Sequence, residues 1–239
     1  MSQITEDELV RRCRSNKRLV SLRQLFFDPE RQLDSGFWQE LLRPHNEYHF
    51  YHSLRYYAHQ EDQYGNTLMH LLALLGRLEL LPVALELNFK LASRRNAFGQ
   101  SFLHFALLHS QPMQPELWGL SGNSFFADQH GFTPFHIAAE SGNLGFFKTY
   151  HHNCWRDQPN IYEATPLHWV MKNQEAEPEL RATKLALARY LLSESPRGMV
   201  SQKNVIGMQP LDWASMTLSD REMEWVFCEM RTSSRSISI

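Results

Sequence analysis

ADQHGFTPFHIAAESGNLGFF, residues 127–147, places Gly131, Thr133, Pro134 and His136 within six residues and runs straight into Ile-Ala-Ala. A histidine beside a glycine turn suits an active-site loop, but it also suits one copy of a structural module. The rest of the chain decides between them. DQYGNTLMH starts at Asp62, NAFGQSFLH at Asn96, NIYEATPLH at Asn160 and NVIGMQPLD at Asn204, in phase with DQHGFTPFH at Asp128. The steps between these Asp/Asn positions are 34, 32, 32 and 44 residues. Such a period is the signature of a repeat protein.

Each position of the unit has a chemical reason. Asp or Asn opens a turn because its side chain can accept from backbone amides two residues on. Glycine at 65, 99, 131 and 207 tolerates a positive φ. Thr67, Ser101, Thr133 and Thr165 stand where a hydroxyl caps a helix, and Pro134, Pro166 and Pro210 stand at the first helical position. Gly76 and Gly142 are placed to end that short helix. A second amphipathic helix follows, clearest in LELLPVALEL and TKLALARYLL.

The period and the Thr-Pro-Leu-His of residues 165–168 resemble the ankyrin-repeat family, whose signature is T-P-L-H-x-A. The resemblance implies an all-α solenoid of about five helix-turn-helix repeats over 61–229, starting near 62, 96, 128, 160 and 204. Residues 1–60 are read as a helical capping region and 230–239 as a disordered tail. The family also implies that His70, His104, His136 and His168 buttress the turns by hydrogen bonding and do no catalysis. Three departures stand out. Glu163 replaces the turn glycine, which predicts either strain or a different φ. KNQEAEPELRAT in copy four predicts an inserted loop or a longer first helix. Copy two has Ser110 and then QPMQPELWGL where its second helix should start.

Within 1–60, Thr5 with Glu8 forms a capping box, Asp34 or Ser35 can cap a helix through GFWQELLR, and a further helix spans 46–59. His45, His49, His52 and His59 could share a helix face as zinc ligands, but the interleaved Tyr48, Phe50, Tyr51, Tyr56 and Tyr57 argue for packing. His151, His152 and Cys154 are adjacent in sequence, which is seldom apposition in space. No phosphate-binding, kinase, hydrolase-elbow or dinucleotide fingerprint occurs. The chain therefore reads as a non-enzyme without a cofactor.

A net charge of −2 gives no case for nucleic acid. The three cysteines are dispersed, the N-terminal stretch lacks an apolar signal core, and Leu68 to Leu81 is too short and too charged to span a membrane. A cytoplasmic, monomeric protein is expected.

Solenoids of this type bind proteins. By the family resemblance, contacts fall beside the turn glycine and at the end of the first helix. Here that marks Tyr64, Phe98, His130, Tyr162 and Ile206 just before the glycine position and Phe132 and Met208 just after it. Leu75 and His109 stand at helix ends. These are read as an exposed partner-binding stripe, with packing of each ring on its neighbouring turn as the alternative. Acidic residues followed by CEMRTSSRSISI are similar to the C-terminal signals of type IV secreted bacterial effectors, which implies an effector delivered into a host cell and acting on host proteins. Two alternatives stand beside this reading. One is a modifying enzyme or metal site within 1–60; the other is an adaptor for a host ubiquitin ligase or trafficking complex.

Overall fold

The computed structural model describes residues 34, 37–38, 47–109, 125–151, 158–172, 178–194 and 200–233. All secondary structure among them is helical apart from one isolated bridge, Glu61 with Thr67. The chain is all-α. In order, the elements are α1 (Glu47–Tyr57), α2 (Leu68–Leu74), a 3-10 turn (Leu78–Leu80), α3 (Leu81–Leu87) and a second 3-10 turn (Phe89–Ser93). There follow α4 (Phe102–Ala106), α5 (Pro134–Glu140), α6 (Leu144–Thr149), α7 (Pro166–Met171), α8 (Pro178–Glu194), α9 (Pro210–Thr217) and α10 (Asp220–Ser233).

The described residues through Pro134 form one compact unit and those from Phe135 on form another. In the first, α2 lies against α4, and α3 packs on α1 and the second 3-10 turn. In the second, α7 lies against α9, and α8 packs against α6, α7 and α10. Within each unit the first helices of successive copies are neighbours. In the second unit the second helices are neighbours too. Helices this short are marginal alone in water, so their stability comes from burial. α2 and α4 are buried along their length up to the last residue of α2, and α7 is buried throughout.

The turns repeat one hydrogen-bond scheme. Asp62 Oδ1 accepts from the amides of Tyr64 (3.0 Å) and Asn66 (2.8 Å), and the Asp62 amide donates to Asn66 O (3.0 Å). Asn96, Asp128, Asn160 and Asn204 do the same for their own turns. Gly65, Gly99, Gly131 and Gly207 hold φ between 72° and 79°, and Glu163 adopts 55° at the equivalent place. Copy four therefore keeps the shape of the turn and accepts the strain of a side chain there, which resolves the two readings of Glu163.

Thr67, Ser101, Thr165 and Gln209 are the helix caps. Gly76, at φ 71°, ends α2: its amide donates to Ala73 O (3.2 Å) and that of Arg77 to Leu72 O (2.9 Å). In copy four the described part of the surplus, from Pro178, lengthens the start of the second helix. α8 has 17 residues against 6 in α6. The surplus expected as a loop or a longer first helix is, from Pro178 on, the start of the second helix, where the missing proline N–H has no partner to lose; 173–177 lie outside the described residues. α10 runs on to Ser233, past the expected start of the tail at 230. Thr5, Glu8, Ser35, His45, Ser110, His152, Cys154 and the last six residues lie outside the described residues.

Before the first turn, Asp34 Oδ1 accepts from the Phe37 amide (3.0 Å), while most of the helix expected through GFWQELLR lies outside the described residues. Trp38 is fully buried and donates through Nε1 to Asp62 Oδ2 at 3.0 Å. Its ring lies 4.8 Å from Phe37 and 5.2 Å from Tyr57, centroid to centroid. α1 falls within the helix expected over 46–59.

Candidate functional site

The buried histidines link each copy to the next. The Thr67 amide donates to His70 Nδ1 (3.2 Å) and His70 Nε2 faces Gln100 O (3.0 Å). Ser101 and His104 repeat this with Phe132 O, and Thr165 and His168 with Met208 O. His136 Nε2 faces Ala164 O at 3.0 Å. A backbone N–H can only donate and a carbonyl can only accept, so His70, His104 and His168 are neutral with the proton on Nε2. Burial pushes all three down to about 4. Their ring nitrogens are fully committed to the backbone, as structural histidines should be. In copy five Asp212 takes over the cap, Oδ2 accepting from the Gln209 amide at 2.7 Å.

The turns also bond one another directly. Ala97 N donates to Tyr64 O (2.8 Å) and Gln129 N to Phe98 O (3.0 Å) in the first unit, and Val205 N to Tyr162 O (3.0 Å) in the second. This fixes three kinds of position in the turns opened at 62, 96, 128 and 160, whereas Val205 and Met208 of the fifth are both half-buried. The residue after the Asp/Asn points to solvent: Gln63, Ala97, Gln129 and Ile161 are exposed. The next, Tyr64, Phe98, His130 and Ile206, is half-buried. The residue after the glycine position faces inward, as Asn66, Gln100, Phe132 and Ala164 do.

Two residues of the expected stripe are therefore misplaced by the sequence reading. Phe132 is 0% exposed because its position faces inward, as it does at Asn66, Gln100 and Ala164. Tyr162 is 3% exposed, although its position is half-open elsewhere. Tyr64 and Phe98 lie 6.1 Å apart, centroid to centroid, with planes tilted by 31°, and both are half-buried. Ile206 and Met208 are half-buried in the second unit. At the helix ends Leu75 is 45% exposed. His109 is half-buried, its Nε2 facing Leu74 O at 3.0 Å and its ring packed where a Cβ on Gly76 would stand. His109 ties α4 to α2 and is scaffold as much as surface. Ile161, 49% exposed, was missed. It occupies the outward position of its turn, and that place in the turn is the signal that could have found it.

Inward positions carry a buried amide chain. Asn66 Nδ2 donates to Asp62 Oδ2, Asn96 Nδ2 donates to both Asn66 Oδ1 and Gln100 Oε1, each at 3.0 Å. Phe132 ends the pattern. Without an amide there, Asp128 Oδ2 makes no hydrogen bond among the described residues. Burial pushes Asp128 up to about 6, while the His130 and Phe132 amides and the neighbouring Gln100 pull it part-way back. Asn160 Nδ2 is likewise unbonded among the described residues, with Ala164 standing where Gln100 serves Asn96. His130 is lowered by its partial burial.

No group of three or more His, Cys, Asp or Glu is arranged to hold a metal ion among the described residues, and no described helix is long and apolar enough to cross a membrane. His52 and His59 are exposed on α1 and just beyond it. Compared with known proteins, the chain matches no family model and no curated sequence.

Proposed function

We propose that this chain is an ankyrin-type repeat protein that binds a protein partner through its turns and the ends of its first helices, and performs no catalysis. One observation carries the reading. The same histidine reaches the same carbonyl of the following copy at 70 to 100, 104 to 132, 136 to 164 and 168 to 208. A chain that commits its buried histidines to stacking leaves its outward positions free to vary. Tyr64, Phe98 and Leu75 keep apolar surface open to water, and apolar surface of that kind is where contact energy concentrates. Delivery into a host cell as a type IV effector, acting on host proteins, belongs to the same proposal and rests on the composition of the C-terminal segment.

The test is a pull-down from host-cell lysate with the full chain beside a Tyr64→Ala/Leu75→Ala/Phe98→Ala variant of unchanged circular dichroism. A partner held by the parent and lost by the variant supports the reading. A partner held equally by both removes this surface from the function. Deleting the last twelve residues tests delivery separately, since a truncated chain that still enters host cells refutes the signal.

A further inference from the structure

A second surface is built from two segments joined by Asn88. Asn88 Nδ2 donates to Ala58 O at 2.8 Å and lies 3.4 Å from His59 Nδ1, while its Oδ1 accepts from the Lys90 amide at 3.2 Å. This clamps the end of α1 to the start of the second 3-10 turn. On α1 and its continuation, His52, Arg55, Tyr56 and His59 are all exposed, at spacings of three and four that define one face. Leu54, Tyr57 and Ala58 on the other face are buried. Across the clamp stand Phe89 and Lys90, both exposed. Phe89 is 77% exposed and Tyr56 59%, which is unusual for large rings in a folded chain.

Each ring has a cation next to it in sequence, Arg55 beside Tyr56 and Lys90 beside Phe89. Neither Arg55 nor Lys90 makes an ion pair among the described residues, whereas the nearby Glu61 is paired with Arg94. Over residues 52–61 and 86–95, Arg94 is taken up by Glu61 and Arg95 by the carbonyls of Gly99 and Ala127, which leaves Arg55 and Lys90 against Glu86 in a chain whose net charge is −2. The surface is locally cationic against the overall balance.

We propose that this face docks on an anionic lipid bilayer, with Phe89 and Tyr56 entering the headgroup region and Arg55 and Lys90 meeting lipid phosphates. Aromatic rings favour that depth, cations beside them snorkel to the phosphate level, and a fluid interface demands no matching shape from the protein. An acidic peptide would satisfy the cations. It would also need its own apolar groups to cover two rings that stand this far into water.

The experiment is co-sedimentation of the full chain with vesicles of phosphatidylcholine alone or with a third phosphatidylserine, at low and physiological salt. Binding to the anionic vesicles that weakens with salt, and no binding to the neutral ones, is the expected result. Arg55→Gln and Lys90→Gln should each weaken it about fivefold, and Phe89→Ala about tenfold. All three positions are exposed, and circular dichroism checks that the variants fold. Absence of binding to anionic vesicles at low salt overturns the proposal, as does binding that the three variants leave unchanged. A fluorescent polyglutamate peptide or a single-stranded oligonucleotide that binds in a Phe89-dependent way, while vesicles do not, overturns it in favour of that partner.

Discussion

Acid should destabilise this protein before most of its carboxylates are protonated. Three histidines, His70, His104 and His168, sit at about 4 in the folded chain against an ordinary 6.5, with burial as the leading cause. The geometry requires the same sign, because a proton on Nδ1 would point at the backbone N–H that now donates to it. A group depressed by folding contributes stability that is complete above its unfolded value and is lost as pH falls towards its folded value. The window is therefore pH 6.5 to 4. Between pH 7 and pH 5 each histidine loses about 2 kcal/mol or slightly less, so the three together lose about 5–6 kcal/mol.

Asp128 opposes them. It is raised to about 6 from 3.8, so folding gains as it protonates, and over the same interval it returns about 1 kcal/mol. Glu222 is held at about 2, chiefly by its hydrogen bonds from Arg181, and adds its loss only below its ordinary 4.5. The net loss by pH 5 is about 4 kcal/mol, against a total stability of about 5–15 kcal/mol for a typical domain. Urea unfolding followed by circular dichroism at pH 7 and pH 5 should show the midpoint falling by roughly 2 M. A midpoint that moves by less than about a quarter of that would refute the reasoning. Proton chemical shifts of the three imidazoles should stay flat from pH 8 to pH 5.

Other outcomes follow from single contacts. Glu163→Gly should stabilise the chain by about 1 kcal/mol in thermal or urea unfolding, because it removes a side chain from φ 55°. Gly142→Ala should cost more than about 1 kcal/mol by the same assay, since the new Cβ would stand 2.9 Å from Thr183 Oγ1 at a φ of 71°. Trp38→Phe should cost about 1–2 kcal/mol. It removes one of three donors to Asp62 Oδ2 while keeping an aromatic ring, and fluorescence-detected unfolding reads the change.

Much of this fold is legible in the sequence because its information is local. A turn that needs an Asx oxygen, a positive φ and a hydroxyl cap writes all three within six residues, and Asp62–Thr67 does so as plainly as Asp128–Thr133. Glu163 was harder to read because the requirement belongs to the backbone, and a neighbouring hydrogen-bond scheme can impose it on a residue that dislikes it. The expected stripe is less legible, for a geometric reason. Which face of a turn meets water depends on how the next turn stacks, and sequence spacing alone does not order Gln63, Tyr64 and Asn66 by exposure. The joining of α1 to the second 3-10 turn is illegible for a related reason. A single side-chain clamp from Asn88 brings together segments thirty residues apart, and nothing in either segment announces the other.

The histidine link also gives the array a grammar of succession. A copy that ends its motif in His has a donor that only a following copy can answer, as His168 is answered by Met208 O forty residues on. Asp212 asks for nothing beyond its own turn, since its carboxylate is spent on the Gln209 amide. Copies of the first kind are open sentences and the last is a closed one. Transplanting Asp at 168 would let a shortened chain stop there, whereas His at 212 would leave a nitrogen calling for another copy.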